Sequence, residues 1–136
     1  MNIHRGVSMA VLLALALGGC SGFGTSKPPP PPTDPNLFPA NYKSDVADFL
    51  RTYLNNPTKV RDAHISAPAL KPFGGASHYI SCLRYNPRDA GNRYTGNEEW
   101  VAAFLGGRLN QFLPGNPELC ANAVYQRFPE AEVLVP

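Results

Sequence analysis

The sequence predicts an α+β domain: one N-terminal amphipathic helix packed on a small antiparallel sheet of three to four strands, stapled by one disulfide. Three observations predict it. Apolar residues recur at helical period through Tyr42, Val46, Phe49, Leu50, Tyr53 and Leu54. The apolar runs His78 to Tyr85 and Trp100 to Leu105 flank a stretch rich in Pro, Gly and Asn, the pattern of two strands and a hairpin loop. Cys82 lies in the first of these runs and Cys120 lies beyond both, so a cross-link between them would tack the C-terminal segment onto the sheet. A helix followed by an antiparallel meander is α+β.

The chain divides into three segments: residues 1–19 read as a leader, 20–40 as a proline-rich disordered tether, and 41–136 as the folded domain. Met1 to Arg5 brings one fixed positive charge, and Val7 to Leu17 is an apolar run of eleven residues. As a helix that run spans about 17 Å, roughly half the hydrocarbon core of a bilayer, so it does not cross one. Charge, short apolar run and small residues make a signal peptide. Leu17-Gly18-Gly19-Cys20 then resembles the lipobox of bacterial lipoproteins. The plainer alternative is a secretory cleavage that leaves an ordinary thiol. The resemblance implies cleavage after Gly19, a diacylglyceryl thioether on Cys20 and acylation of the new amino terminus, which is the route to a membrane partner. Several acyl chains, at about 0.8 kcal/mol per buried CH₂, anchor stably where one is marginal. Ser21 rather than Asp after the cysteine implies the outer membrane, with the domain facing the periplasm.

Gly22, Gly24, Thr25 and Ser26 precede the unbroken run Pro28 to Pro32, with Pro35 and Pro39 beyond. Each proline fixes φ and lacks an N–H, which favours polyproline II. At about 3.1 Å per residue, some twenty such residues reach roughly 60 Å. A spacer is favoured over a ligand for a proline-reading partner domain.

In the domain, Asn41 is a candidate N-cap, Asp45 and Arg51 suit the helix dipole, and Asn55-Asn56-Pro57 stops the helix. Ala63, Ile65 and Ala67 alternate with polar residues, giving a half-buried strand within 58–70 that ends at Pro68 or Pro72. Gly74-Gly75 is a turn, and residues 78–85 form a central strand. Residues 86–97 read as a long hairpin loop and 98–109 as one buried strand with a bulge or close contact at Gly106-Gly107. Gln111 to Asn116 reads as a turn. Pro117 opens a short helical turn through Cys120 and Ala121, and Val124 to Phe128 closes the fold in extended form. Asn-Pro recurs at 56, 86 and 116, but unlike flanks exclude a repeat.

The balance of 12 basic against 10 acidic residues falls to 11 against 10 once Arg5 leaves with the leader. That near-neutral domain lacks the basic stripe of a nucleic-acid binder. With Cys20 lipidated, Cys82 and Cys120 remain as a pair in an oxidising compartment, where a disulfide is favoured over a redox pair lacking Cys-x-x-Cys. His64, His78 and Cys82 fail as metal ligands, because positions 78 and 82 of one strand stand about 13 Å apart. Adjacent Glu98 and Glu99 point to opposite faces and cannot act as an acid/base pair. Nucleophile-elbow, calcium-loop, phosphate-loop and His-Glu-x-x-His spacings are absent from the sequence, so it points to no enzyme, metal or cofactor. Arg84, Arg88, Arg93 and Arg108 cluster in or beside the central hairpin with Tyr79, Tyr85, Tyr94 and Trp100. They are either solvated strand ends or a face for carboxylates and phosphates, with Arg84, Arg93, Arg108, Tyr85 and Trp100 the candidate ligand contacts.

Beyond the lipobox, Asp48 to Leu54 with Pro57, Arg61-Asp62-Ala63 and Pro68 to Pro72 resembles a group of small lipoproteins of alphaproteobacteria. Cys82 to Asn86, Phe104 to Arg108 and Tyr125 to Glu130 extend the similarity over most of 42–130. The resemblance implies lipidation and location and carries no activity. Two functions follow as expectations: a non-enzymatic interaction or structural module of the cell envelope, or a binder of a small ligand or of peptidoglycan. A pocket lined by the hairpin aromatics would favour the second and a flat sheet face the first.

Overall fold

The computed structural model describes residues 34–136; the leader, Cys20 and the proline run at 28–32 lie outside the described residues. Helix α1 (Tyr42–Tyr53) buries Val46 and Leu50 of the predicted stripe, together with Ala47. Asn41 caps it through its carbonyl, which accepts from the Asp45 N–H (3.0 Å) and the Ser44 hydroxyl (2.9 Å), while its side chain makes no cap bond. Pro57 disfavours helix at Asn56, and β1 begins there.

The strands are β1 (Asn56–Ser66), β2 (Ala69–Phe73), β3 (Ala76–Arg88), β4 (Glu98–Leu105), β5 (Arg108–Pro114) and β6 (Tyr125–Arg127), followed by a short helix α2 (Pro129–Glu132). They form one antiparallel sheet in the order β5-β4-β3-β1-β6, with β2 paired to the first half of β3. The architecture is α+β as expected, and two finer expectations are corrected. The sheet has six strands instead of three to four, and α1 starts at residue 42, inside the chain and not at its N-terminus.

The extra strands come mainly from glycine pairs. Gly106 and Gly107 have φ of 57° and 78°. Two residues at positive φ make the tight turn whose twist matches a hairpin, so the pair splits the predicted strand 98–109 into β4 and β5. Gln111 to Pro114, read as a turn from the sequence, belongs to β5. Gly74 and Gly75 make the same kind of turn between β2 and β3, with φ of 61° and 82°. Pro72 is tolerated because β2 pairs on one side only, with β3, among the described residues. The register of β5 against β4 shifts between Ala103 and Phe104. In β1, Lys59 (φ 57°) and Asp62 (φ 54°) stand at two register shifts, so the strand bends twice as it passes β3.

Residues directly opposite one another point to the same face, which sorts the core into two layers. Leu83 and Tyr85 of β3, Ala102 and Phe104 of β4, and Ala63 and Ile65 of β1 face α1. The C-terminal Phe128, Ala131 and Leu134 complete that layer. They are held by Phe128 N–H to Ala63 O (2.8 Å) and Ala63 N–H to Glu132 Oε1 (3.0 Å). The other face carries Ile80, Cys82, Val101 and Ala103, covered by Leu119, Cys120 and Ala123. There Cys82 and Cys120 form the expected disulfide, Cα atoms 5.8 Å apart. Asn116 accepts through Oδ1 from the N–H groups of Glu118 and Leu119 and through its carbonyl from the Cys120 N–H at 2.9 Å, so the expected helical turn is present as a single turn within the hydrogen-bonded turns of 117–122.

The expected boundary at residue 41 also moves. Pro39 is fully buried, the Phe38 ring stands edge-on to Tyr79 at 5.2 Å, and Gly106 N–H donates to Pro35 O at 3.1 Å. The segment from Asp34 to Ala40, assigned to the tether on composition, is therefore part of the domain.

Candidate functional site

The five side chains that the sequence nominated as ligand contacts do not converge. Arg84 and Tyr85 are neighbours on β3 and so point to opposite faces. Arg84 lies on the disulfide face, its guanidinium 4.1 Å above the ring of Tyr125. Burial, and then Glu99 nearby, push the Tyr125 phenol up, while Arg84 pulls it down. Tyr85 is fully enclosed under α1, and burial raises its phenol far above the ordinary value, with Glu98 and Tyr53 adding to the effect. Its hydroxyl and that of Ser81 are buried without a hydrogen-bond partner among the described residues. Arg93 sits in the β3–β4 loop, where its Nε donates to Asp89 Oδ2 at 3.1 Å. Chiefly through the Arg93 backbone N–H, the Asp89 carboxyl is held below the usual carboxylate value. Arg108 opens β5 and donates to Asp45 Oδ2 on α1 at 2.9 Å. Of the remaining hairpin residues, Arg88 donates to Thr58 O and Oγ1. Tyr94 donates to Lys59 O and lies under Arg61. These are ties between elements, distributed over three parts of the surface.

Trp100 belongs to a packed aromatic cluster. It stacks on Phe112 at 5.1 Å and 15°, Tyr53 meets it edge-on at 5.5 Å, and Phe49 closes on Phe112 at 4.8 Å. The cluster fixes the second half of α1 to β4 and β5. Trp100 Nε1 donates to Glu98 Oε2, and Thr95 Oγ1 donates to Glu98 Oε1, both at 3.1 Å, so this carboxylate is held by two donors. Around it is an open cleft of about 370 Å³, lined by Tyr53, Arg88, Asp89, Thr95, Glu98 and Trp100. It presents two aromatic walls, two carboxylates and one guanidinium, a set able to stack a planar group and accept hydrogen bonds.

A second cleft of about 370 Å³ lies beside the disulfide, between the start of β2 and residues 119–124. Its polar groups are mostly engaged within the fold: Lys71 Nζ donates to Ala121 O, and Ser66 Oγ accepts the Cys82 N–H, both at 2.8 Å. Among the described residues, no group of three or more His, Cys, Asp or Glu side chains is arranged to hold a metal ion. Glu98 and Glu99 stand opposite Tyr85 and Arg84 respectively, on different faces.

The sequence reading missed the surface at the opposite end of the sheet from this cleft. There Leu37 and Phe38 join Leu70 and Leu105 as exposed large apolar side chains. The signal was present as Leu37-Phe38 inside the proline-rich stretch, where composition masked it. Compared with known proteins, the chain matches no family model, no curated protein and no solved structure.

Proposed function

We propose that this chain is a lipid-anchored lipoprotein of the cell envelope, akin to the small alphaproteobacterial group it resembles. Its leader is cut after Gly19, its anchor is Cys20, and its domain faces the periplasm from the outer membrane. The role is that of a non-enzymatic interaction or structural module, its partners being the bilayer and envelope proteins or peptidoglycan.

One observation carries the reading: of the three cysteines, Cys82 and Cys120 pair with each other, leaving Cys20, the residue in the lipobox position, as the odd one. A disulfide between two core-packed positions also suits an oxidising compartment. The test is palmitate labelling and membrane fractionation of the full chain and of Cys20→Ser in a bacterium with two membranes. The expected result is label and outer-membrane recovery for the wild type, and an unlabelled, unprocessed precursor for the variant. Labelling that survives Cys20→Ser, or is absent from both, rejects the anchor.

The cleft beside Trp100 and Glu98 favours a second reading, capture of a small ligand or peptidoglycan fragment. Titration of soluble muropeptides, followed by amide shifts, is expected to move residues around Thr95 and Glu98, with Glu98→Gln weakening the response. Shifts that stay flat at millimolar ligand reject it.

A further inference from the structure

We infer that the sheet end bearing Leu37, Phe38, Leu70 and Leu105 rests on the surface of a phospholipid bilayer, which fixes the orientation of the domain. The inference depends on the proposed anchor at Cys20 and adds a second contact to it.

Phe38 and Leu70 are linked through Tyr79, and Leu37 precedes Phe38 in the chain. Leu70 is paired with Tyr79, Tyr79 with Phe104, and the Phe38 ring stands against Tyr79. Leu37 lies over the Gly106-Gly107 turn, so close that a Cβ on Gly107 would come within 3.1 Å of it, and Leu105 enters the same turn. The β2–β3 and β4–β5 turns lie at one end of the antiparallel sheet, so all four residues lie at that end, with Leu105 pointing to the face opposite Phe104. They are half exposed: Leu37 by 50%, Phe38 by 49%, Leu70 by 50% and Leu105 by 41%. A grouped apolar surface on a small domain marks a contact.

The chain itself says what that contact is. The described residues begin at Asp34, at this same end, where Pro35 O is bonded to the β4–β5 turn. Thirteen residues, Ser21 to Thr33, separate Asp34 from Cys20. Fully extended they span at most about 45 Å, which keeps the domain within reach of the lipid and joins it to its tether at the end that bears the patch. A tether of that length makes docking intramolecular, with an effective concentration at which even a weak apolar surface is occupied. Phe and Leu side chains at a membrane interface bury in the boundary between headgroups and acyl chains. Arg108, the residue after the turn, is paired through Nε with Asp45 but keeps its side chain 80% exposed, leaving its other guanidinium N–H groups open to headgroup phosphates.

The experiment uses the full lipidated chain reconstituted into phosphatidylethanolamine–phosphatidylglycerol vesicles containing acyl-brominated lipid. Trp100, the only tryptophan, is the reference, since it lies five residues up β4 from Leu105, about 16 Å away. In Phe38→Trp the added emission is expected to be quenched at least about twofold more than that of Trp100, as depth-dependent burial requires. Leu70→Trp repeats the measurement from β2, a different segment from the one that carries Phe38. Vesicle flotation and palmitate labelling run in parallel. Floating, labelled protein with neither probe quenched overturns the docking and leaves the anchor standing. Self-crosslinking through the patch without quenching overturns it in favour of a second copy. Protein that neither floats nor carries label defeats the anchor, and the docking with it.

Discussion

The two faces of the sheet are closed by different means. Under α1, the buried layer runs from Val46 and Leu50 through Ile65, Leu83 and Phe104 to Phe128 and Leu134, and two helices seal it. On the other face four residues are buried, Ile80, Cys82, Val101 and Ala103, under a segment of turns. At about 1.5–3 kcal/mol for each fully buried Leu, Ile or Phe, the helix face holds by area alone. The second face lacks that area, and its cover is held covalently. This small domain thus uses its disulfide where packing is thinnest, the place where a cross-link changes most.

The largest effect is expected from breaking the covalent side. Replacing both Cys82 and Cys120 by Ser should lower stability by about 4 kcal/mol, the chain-entropy value for closing a loop of this length. Thermal melts should show the loss, and amide exchange should accelerate first over 116–124 while amides under α1 stay protected longest. Uniform acceleration would mean that the two faces form one cooperative unit. Somewhat smaller is the break on the packed side: Leu50→Ala should cost about 3 kcal/mol through its cavity, read by denaturant titration. Its disulfide should still form, as a thiol count would show.

Smaller again, and opposite in sign, is Tyr85→Phe. It removes a buried hydroxyl that has no partner, so stability at neutral pH should rise by about 1 kcal/mol. The native phenol is raised, so the stability linked to it is complete below the unfolded value of about 10 and is lost at higher pH. The wild type should therefore weaken above pH about 10 more steeply than the variant, checked by alkaline unfolding. The smallest effect lies off both faces. The Asp89 carboxyl is lowered, so its contribution is present above the ordinary carboxylate value and fades as pH falls through its own. Acid titration by NMR should loosen the loop around Arg93 and leave both cores intact, whereas a global change would assign that loop a larger role.

Much of this was legible in the residues. The helical stripe from Tyr42, the turn at Gly74-Gly75, the central strand and the cysteine pair all follow from spacing or count. The β4–β5 turn did not, because apolar Trp100 to Leu105 and Leu109 read as one run and glycine at positive φ looks in sequence like glycine in a strand. Phe112 and Leu113 were hidden for a related reason: adjacent on β5, they serve opposite faces and so show no alternation. The candidate contacts failed through the same geometry. Being near a hairpin in sequence does not decide which face a residue meets, and the strand period sends Arg84 away from Tyr85. Phe38 and Pro39 were assigned to the tether because proline content describes how a backbone extends and is silent about what it packs against.

The irregular edge at β5 has a consequence for copies of this chain if they are held, as proposed, on one membrane surface. An outer strand with open N–H and C=O groups invites a neighbour to add its own strand, and confinement to a plane makes such meetings frequent. β5 begins with exposed Arg108, shifts register against β4 between Ala103 and Phe104, and ends at Pro114, which has no N–H to offer. Charge, kink and proline together leave no long straight edge to copy, and so protect the sheet from growing sideways into aggregates.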